Sequence, residues 1–275
     1  MNKQAIWAVA KKDMLAIKES IQIWLPILIL PIVFCLVLPA GLILAIKYFG
    51  NAGNVDQIIS LLEQLPPGSI RDSILQWDEQ NLQILYFFLV YLFAPFFLMI
   101  PVMISSVVAA SSFVGEKERK TLESLLYTPI DIASLFWGKL LSAFIPAIGL
   151  TLISALGYML VVNILGYDLF GQFIFPQANW LVLIFWVVPT VSLFAIFLNV
   201  YVSARVKGFQ EAYQLGGLVI LPIIALFVSQ MAGIMFFSSL VLVALGFIML
   251  VVDLFLVYKT TKDFDRNRLF MSQVK

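Results

Sequence analysis

The residues of this chain that could do chemistry are few, and their types exclude most catalytic sites. The 275 residues include no histidine and a single cysteine, Cys35, which lies within an apolar run. Without histidine, the chain cannot form a histidine metal site, a histidine general base or a Ser-His or Cys-His pair. Asp253 alone falls inside a long apolar stretch, whereas a carboxylate-based catalyst would want two acids there. We therefore expect no catalytic site.

A short segment between two apolar stretches concentrates charged side chains. It reads GEKERKTLESLLYTPI over residues 115–130. Leu122, Leu125 and Leu126 share one face of a helix, and Glu116 stands four residues before Lys120, the favourable order for a helical ion pair. Such an amphipathic helix can dock its apolar anchors into a groove on a soluble partner. The alternative is that the charges only fix the topology and solvate a loop.

Local signals define the limits of this helix. Thr128-Pro129 ends it, because a residue before proline avoids the α region. Asp131 is then placed to cap the next helix. The predicted cytoplasmic loop covers residues 115–131.

Composition and apolar runs predict an all-α integral membrane protein. The chain is 62% hydrophobic and 12% charged, whereas soluble domains are about 45–50% apolar and about 25% charged. A helix that crosses the hydrocarbon needs about 20 apolar residues. Six transmembrane helices are predicted, at 23–46, 84–114, 136–164, 180–203, 218–236 and 239–257. The last two form a hairpin that turns near Gly233 and Ser238.

Lysine and arginine are distributed unequally between the predicted loops. All 17 except Lys47 and Arg71 lie in the leader 1–22, the segment 115–139, the segment 204–217 or the tail 258–275. Because cytoplasmic loops are enriched in these residues, both termini are predicted to be cytoplasmic. The leader is interpreted as an amphipathic helix in the membrane interface. The external segment 47–83 is predicted to form short helices, one over 55–65 and one beginning near Ser69.

Polar residues within the spans are interpreted as structural. Asp253 is expected to snorkel to the interface or to pair with Lys259, rather than to bind substrate. Asn163, Asn199 and Gln230 are expected to form interhelical hydrogen bonds. Small residues at a four-residue spacing in the third span predict close packing within the chain, with a dimer face as the alternative. They are Ala143, Ala147, Thr151 and Ala155.

The charged segment resembles the conserved loop of the type-2 ABC transporter permeases, in the sodium-efflux-permease-like branch. It shares the acidic-basic-acidic stretch, Thr-Leu-Glu, paired leucines and Thr-Pro, and Gly138-Lys139 follows; Lys120 stands where many members have glycine. The resemblance implies that this segment is the coupling helix that contacts an ATPase. The residues assigned to this contact are Glu116, Glu118, Arg119, Thr121, Leu122, Glu123, Leu125, Leu126, Thr128 and Pro129.

The resemblance also implies partners and a role. The chain would be a permease subunit, working as a dimer with an identical copy or a paralogue in a prokaryotic plasma membrane. Two separate ABC ATPase subunits would bind ATP and Mg, and this chain, which lacks a GxxxxGK[ST] phosphate loop, would bind no cofactor itself. Most members export lipids, glycans, peptides, drugs or ions. A net charge of +1 gives no basic field for nucleic acid, so membrane lipid is the remaining expected partner.

Three other functions remain open. A self-contained carrier or channel would need a charged or carbonyl-lined path, and often inverted repeats; the sequence shows neither. An intramembrane enzyme would need the catalytic groups that the chain lacks. A membrane anchor that recruits a complex without transport would share the charged loop, so the sequence does not separate it from a permease.

Overall fold

The computed structural model describes residues 2–50, 68–115, 131–203, 206 and 209–263. These ranges are almost wholly helical and contain no strand. Six helices are long and apolar enough to cross a membrane: Ile27–Phe49, Gln80–Phe113, Ala133–Phe170, Ala178–Ser203, Gln214–Met231 and Ser239–Tyr258. The prediction of an all-α chain with six spans is confirmed.

The N-terminal helix runs from Lys3 to Glu19 and is separated from the first span by one extended residue. The Asn2 side chain caps this helix by accepting a hydrogen bond from the Gln4 amide at 3.0 Å. Ser20 has φ −97° and ψ 101°, and the helix that leads into the first span begins at Ile21. Because Ser20 interrupts the helical hydrogen bonds, the two helices meet at a corner rather than forming one rod.

Prolines set the local geometry of three spans. Each contains a π-helical segment that ends two or three residues before a proline: Ile32–Val37 before Pro39, Phe88–Leu92 before Pro95, and Leu183–Val187 before Pro189. Proline has no amide hydrogen, and its ring clashes with the carbonyl four residues earlier. A wider turn relieves that clash and bends the helix.

The third span is the longest helix and exceeds its predicted range of 136–164. It runs Ile132–Phe170, or roughly 58 Å at about 1.5 Å per residue, well beyond the hydrocarbon thickness of about 30 Å. It begins at the Asp131 cap and ends where Gly171 adopts a positive φ of 66°. Two local end signals, rather than the apolar run, therefore define this helix.

The last two spans form the predicted hairpin. The fifth is built from Phe209–Gly216, Gly217–Val219 and Ile220–Met231, and the sixth is Ser239–Asp263. The fifth ends before the predicted residue 236 because the chain turns at Gly233, which has a φ of 70°. The Ser238 hydroxyl accepts from the Val241 amide at 3.3 Å and caps the sixth span.

The second and fourth spans form the centre of the bundle. They are the most deeply buried of the six, and the fifth and sixth are the least. In the third span, Ala143, Ala147, Thr151 and Ala155 are all buried within the chain. Their spacing therefore serves intramolecular packing, in which small side chains let helices approach closely.

The segment between the first two spans is described only in part. The helix predicted over 55–65 lies outside the described residues. The second predicted helix is found at Ser69–Leu75. Its Ile74 side chain is fully buried, and nearby Trp77 packs edge-on against Phe170, with ring centroids 4.8 Å apart. This short helix therefore rests on the end of the third span.

Candidate functional site

The ten residues predicted to contact an ATPase, Glu116 to Pro129, lie outside the described residues, so their role stays a prediction. The structure describes both flanks of that segment: the second span as far as Gly115, and the third span from Ile132. Polar side chains join these flanks to the N-terminal helix. We call them the basal cluster, which consists of Asn2, Asp13, Ser112, Asp131, Ser134 and Lys139.

The centre of the basal cluster is a buried ion pair. Asp13, Ser112 and Lys139 are 5%, 6% and 2% exposed. The Ser112 hydroxyl donates to Asp13 Oδ2 at 2.5 Å, and the Lys139 ammonium donates to the Ser112 carbonyl at 2.5 Å. Lys139 Nζ lies 3.5 Å from Asp13 Oδ2. A buried charge is stable only with a counter-charge and hydrogen bonds. Removal of any one of these three side chains should therefore leave a buried charge with fewer partners.

The position of Ser112 explains why a lysine is useful here. Ser112 lies in the last described turn of the second span, and its backbone carbonyl is a buried acceptor that needs a donor. The Lys139 ammonium is that donor, and it also lies 5.5 Å from the centre of the Phe113 ring. The half-exposed Lys12 forms an outer ion pair with Asp13 at 3.3 Å. The network thus joins the N-terminal helix to two spans.

A second group of contacts fixes the start of the third span. The Asp131 carboxylate accepts from the Ser134 amide at 3.2 Å, so the predicted cap is confirmed. Hydrogen bonding from the Ser134 side chain is the largest cause that lowers the pKa of Asp131. The Ser134 hydroxyl also accepts from the Asn2 amide at 3.0 Å. One serine therefore holds both helix starts together.

The N-terminal helix and the third span approach too closely at Gly138 for any side chain there. A Cβ at this position would lie 2.7 Å from Val9 Cβ and 2.8 Å from the Ile6 carbonyl oxygen. Such short contacts force a neighbour to move. Gly138 thus permits the approach that brings Lys139, the next residue, to Asp13.

The basal cluster combines one predicted feature with residues that sequence reasoning missed. Gly138-Lys139 was part of the family resemblance, but Asp13 and Ser112 were not singled out. The available signal was the spacing of Asn2, Ile6, Val9 and Asp13, which recur every three or four residues on one helix face. Asp13 is the one acid on that face in a lysine-rich helix.

At the opposite end of the bundle, a polar network supports the π-helical segment of the second span. Proline at position 95 removes one backbone donor from the turn that contains Leu89, Val90 and Tyr91. Side chains from the third and fourth spans donate to the backbone oxygens of this turn: the Tyr158 hydroxyl to Leu89 (2.7 Å), and the Asn179 amide (3.3 Å) and Trp180 indole (2.8 Å) to Val90. When the Gln230 amide of the fifth span is assigned the orientation that satisfies its hydrogen bonds, it donates to the Tyr91 carbonyl at 3.3 Å. The carbonyls of this turn are thus satisfied by neighbouring helices, as membrane burial requires.

The three uncharged polar residues therefore differ in role. Gln230 forms the predicted interhelical bond. Asn163 instead binds the backbone of the loop after its own helix, accepting from the Ile174 and Phe175 amides and donating to the Phe175 carbonyl. Asn199 donates within its own helix, to Ala195 at 2.8 Å. For Asn163 and Asn199 the interhelical prediction is wrong, because backbone groups nearby in sequence were available as partners.

Asp253 does not snorkel to the interface. It is 2% exposed, and neither carboxylate oxygen has a hydrogen-bond partner among the described residues. The snorkelling prediction is wrong because the side chain is buried in the bundle. The sixth span packs against the fourth, where the Trp186 indole donates to the Val243 carbonyl. Pairing with Lys259 involves a side chain outside the described residues. In the described part of the chain, no three potential metal ligands come together.

The comparison with protein families decides the identity of this architecture. A family model described as "ABC-2 family transporter protein" matches residues 7–239. The chain belongs to this family. The prediction of a type-2 ABC permease is therefore confirmed, while the sodium-efflux-permease-like branch stays a prediction. The chain is a multi-pass membrane protein and a permease component of an ABC transporter. No curated protein and no solved structure matches it.

Proposed function

We propose that this ABC-2 permease forms an export pathway as a dimer and is driven by two separate ATPase subunits through the helix of residues 115–130. ATP and Mg are bound by the partner ATPases. Family membership implies an ABC ATPase partner in general. Hydrophobic or amphipathic cargo fits best, because the described spans contain only two acids, Asp168 at the end of the third and Asp253 in the sixth.

The basal cluster is the observation that supports coupling through this loop. The loop leaves the second span three residues after Ser112 and enters the third span eight residues before Lys139, and these two residues are directly bonded. A force applied to the loop therefore acts on both spans together. The ion pair with Asp13 passes the same displacement to the N-terminal helix. Two spans and one peripheral helix would move as a unit between inward-open and outward-open states.

The charge distribution supports an orientation with both termini in the cytoplasm. Six spans place both ends of the chain on one side, and that side carries 115–130 and most of the lysine and arginine residues. A prokaryotic plasma membrane is the location that we propose. For the dimer, the supporting observation is the low burial of the fifth and sixth spans, whose apolar faces are available to lipid or to a second permease.

The test is whether an ATPase co-purifies through the loop. The tagged chain is solubilised from its native membrane in mild detergent, and its partners are identified by mass spectrometry. Two variants test the loop: Glu123→Arg and Leu126→Asp. Two control variants make the same types of change at the opposite end of the bundle: Glu79→Arg and Leu75→Asp. The side chains of Glu79 and Leu75 are exposed, so these substitutions should leave the packing of the spans unchanged.

The proposal expects a cytosolic ATPase with the parent chain and with both controls, and its loss from the two loop variants. Stimulation of that ATPase by cargo then separates a transporter from a non-transporting anchor. If the loop variants retain the ATPase fully, the assignment of 115–130 as the coupling helix is wrong. If the purified chain alone moves ions in liposomes without an ATPase, the function is that of a self-contained carrier.

A further inference from the structure

An apolar groove lies in the corner between the N-terminal helix and the first span. Its volume is about 480 Å³, within the range of about 300–1,000 Å³ typical of small-ligand sites. Four helices line it, with Ile17 from the N-terminal helix, Leu28 from the first span, Val108 from the second and Leu150 from the third. The groove is therefore built from four packed helices of the described chain.

The groove exists because of two breaks in regular packing. Extended Ser20 turns the first span away from the N-terminal helix, so the inner side of the corner remains open. Across it, Pro146 lines the groove within the third span, where the compact ring fills less space than a long side chain. Buried Ile27 and Val108 form the floor. The walls are thus apolar and preformed.

Lys18 is the one charged residue that lines the groove. It is exposed and forms no ion pair with another described residue. Trp24 lines the groove from the start of the next helix, beyond Ser20, and tryptophan prefers the headgroup level of a bilayer. An apolar slot beside a tryptophan with a lysine at its mouth matches a molecule that has a hydrocarbon tail and an anionic head.

We propose that this groove binds one acyl chain of an anionic phospholipid from the adjacent leaflet, with Lys18 contacting the phosphate. Anionic lipids are attracted to lysine near the membrane surface, and burial of an acyl chain removes apolar surface from water. The lipid would hold the corner between the N-terminal helix and the first span at a fixed angle, whatever the transported cargo is.

The test is lipid retention measured by native mass spectrometry. The full chain is purified in mild detergent and exchanged with phosphatidylglycerol or phosphatidylcholine at equal concentration. Lys18→Gln removes the charge, and Lys11→Gln is its control on the same helix. Leu28→Trp and Leu150→Trp fill the groove, and Leu221→Trp adds the same bulk to an exposed position on the fifth span.

The proposal expects one tightly retained phosphatidylglycerol per chain and much less phosphatidylcholine. Lys18→Gln should reduce phosphatidylglycerol retention about fivefold, which corresponds to about 1 kcal/mol for one lysine near anionic lipid. Leu28→Trp and Leu150→Trp should abolish it, while both controls retain it. Equal retention of the two lipids, or equal loss in Leu28→Trp and Leu221→Trp, would overturn the proposal. So would a cross-link from a photoreactive residue at Leu28 to a polypeptide instead of a lipid.

Discussion

Removal of either charge from the buried pair Asp13–Lys139 should destabilise the fold far more than removal of both. Lys139→Met leaves the Asp13 carboxylate buried with the Ser112 hydroxyl and the outer Lys12 as its remaining partners. Asp13→Leu removes the buried carboxylate beside the Lys139 ammonium, whose hydrogen bonds to the Ser112 oxygens are uncharged. In the double variant, methionine and leucine fill similar volumes and both charges of the buried pair are gone; Lys12 loses its ion pair with Asp13 but is half exposed. The two substitutions should therefore be strongly non-additive.

The magnitude follows from the burial of the pair. Loss of one partner of a buried ion pair costs about 3–5 kcal/mol, whereas its replacement by apolar side chains is often neutral or stabilising. We expect Lys139→Met at the lower end, about 3 kcal/mol, because Lys12 partly compensates at 3.3 Å. Lys12→Met tests the outer pair, which is half exposed and should contribute about 0–1 kcal/mol.

The assay is chemical unfolding of the purified chain in detergent, followed by tryptophan fluorescence. Both single variants should lower the unfolding free energy by about 3 kcal/mol or more. The double variant should lie within about 1 kcal/mol of the parent chain. Purely additive effects, or single effects no larger than that of Lys12→Met, would refute the inference that this pair locks the N-terminal helix to the spans.

Four further predictions follow from single positions. Gly138→Ala should lower the unfolding free energy by about 1–3 kcal/mol through overpacking and make the N-terminal helix accessible to protease. Gly149→Ala is the control, because a Cβ there meets no atom within 4 Å, and it should have neither effect. Similar results for the two variants would contradict the close approach at Gly138. Asn163→Leu should lower the unfolding free energy by at least about 2 kcal/mol, because three backbone groups lose their partner; an unchanged value would mean that the loop satisfies itself. Asp253→Leu should raise the thermal midpoint, since an unpartnered buried polar group costs about 1–3 kcal/mol, and a lowered midpoint would reveal a partner for the carboxylate. Asp131 has a lowered native pKa, so its contribution to the unfolding free energy should be full above an unfolded pKa of about 3.9 and lost as pH falls below it. Asp131→Asn should therefore reduce the pH dependence of the unfolding free energy between pH 5 and pH 3. An unchanged pH dependence would exclude this cap as its cause.

Features with short-range causes could be predicted from the sequence. The Asp131 cap and the turn at Gly233 depend on residues a few positions apart, and both were found where expected. The limits of the third span were predicted less well, because the helix continues beyond its apolar run to the glycine that ends it. A run of apolar residues predicts where a helix can cross the hydrocarbon, but helix ends depend on caps.

The partners of polar residues could not be predicted in the same way. The sequence placed Asn163, Asn199 and Gln230 in spans, and only Gln230 bonds to another helix. Asp253 was expected near the surface and is buried. Each outcome depends on which way a helix is rotated in the bundle, and rotation is set by packing against neighbouring helices.

The sequence alone determined that this chain lies in a membrane, crosses it six times and belongs with the ABC-2 permeases, because apolar length and a contiguous charged motif are local properties. Only the tertiary structure decided what the flanks of the charged segment contact. Asp13 and Lys139 are 126 positions apart, and Gly138 permits their approach by its lack of a side chain. The energy of such a pair depends on burial and distance, and neither quantity exists until the helices pack.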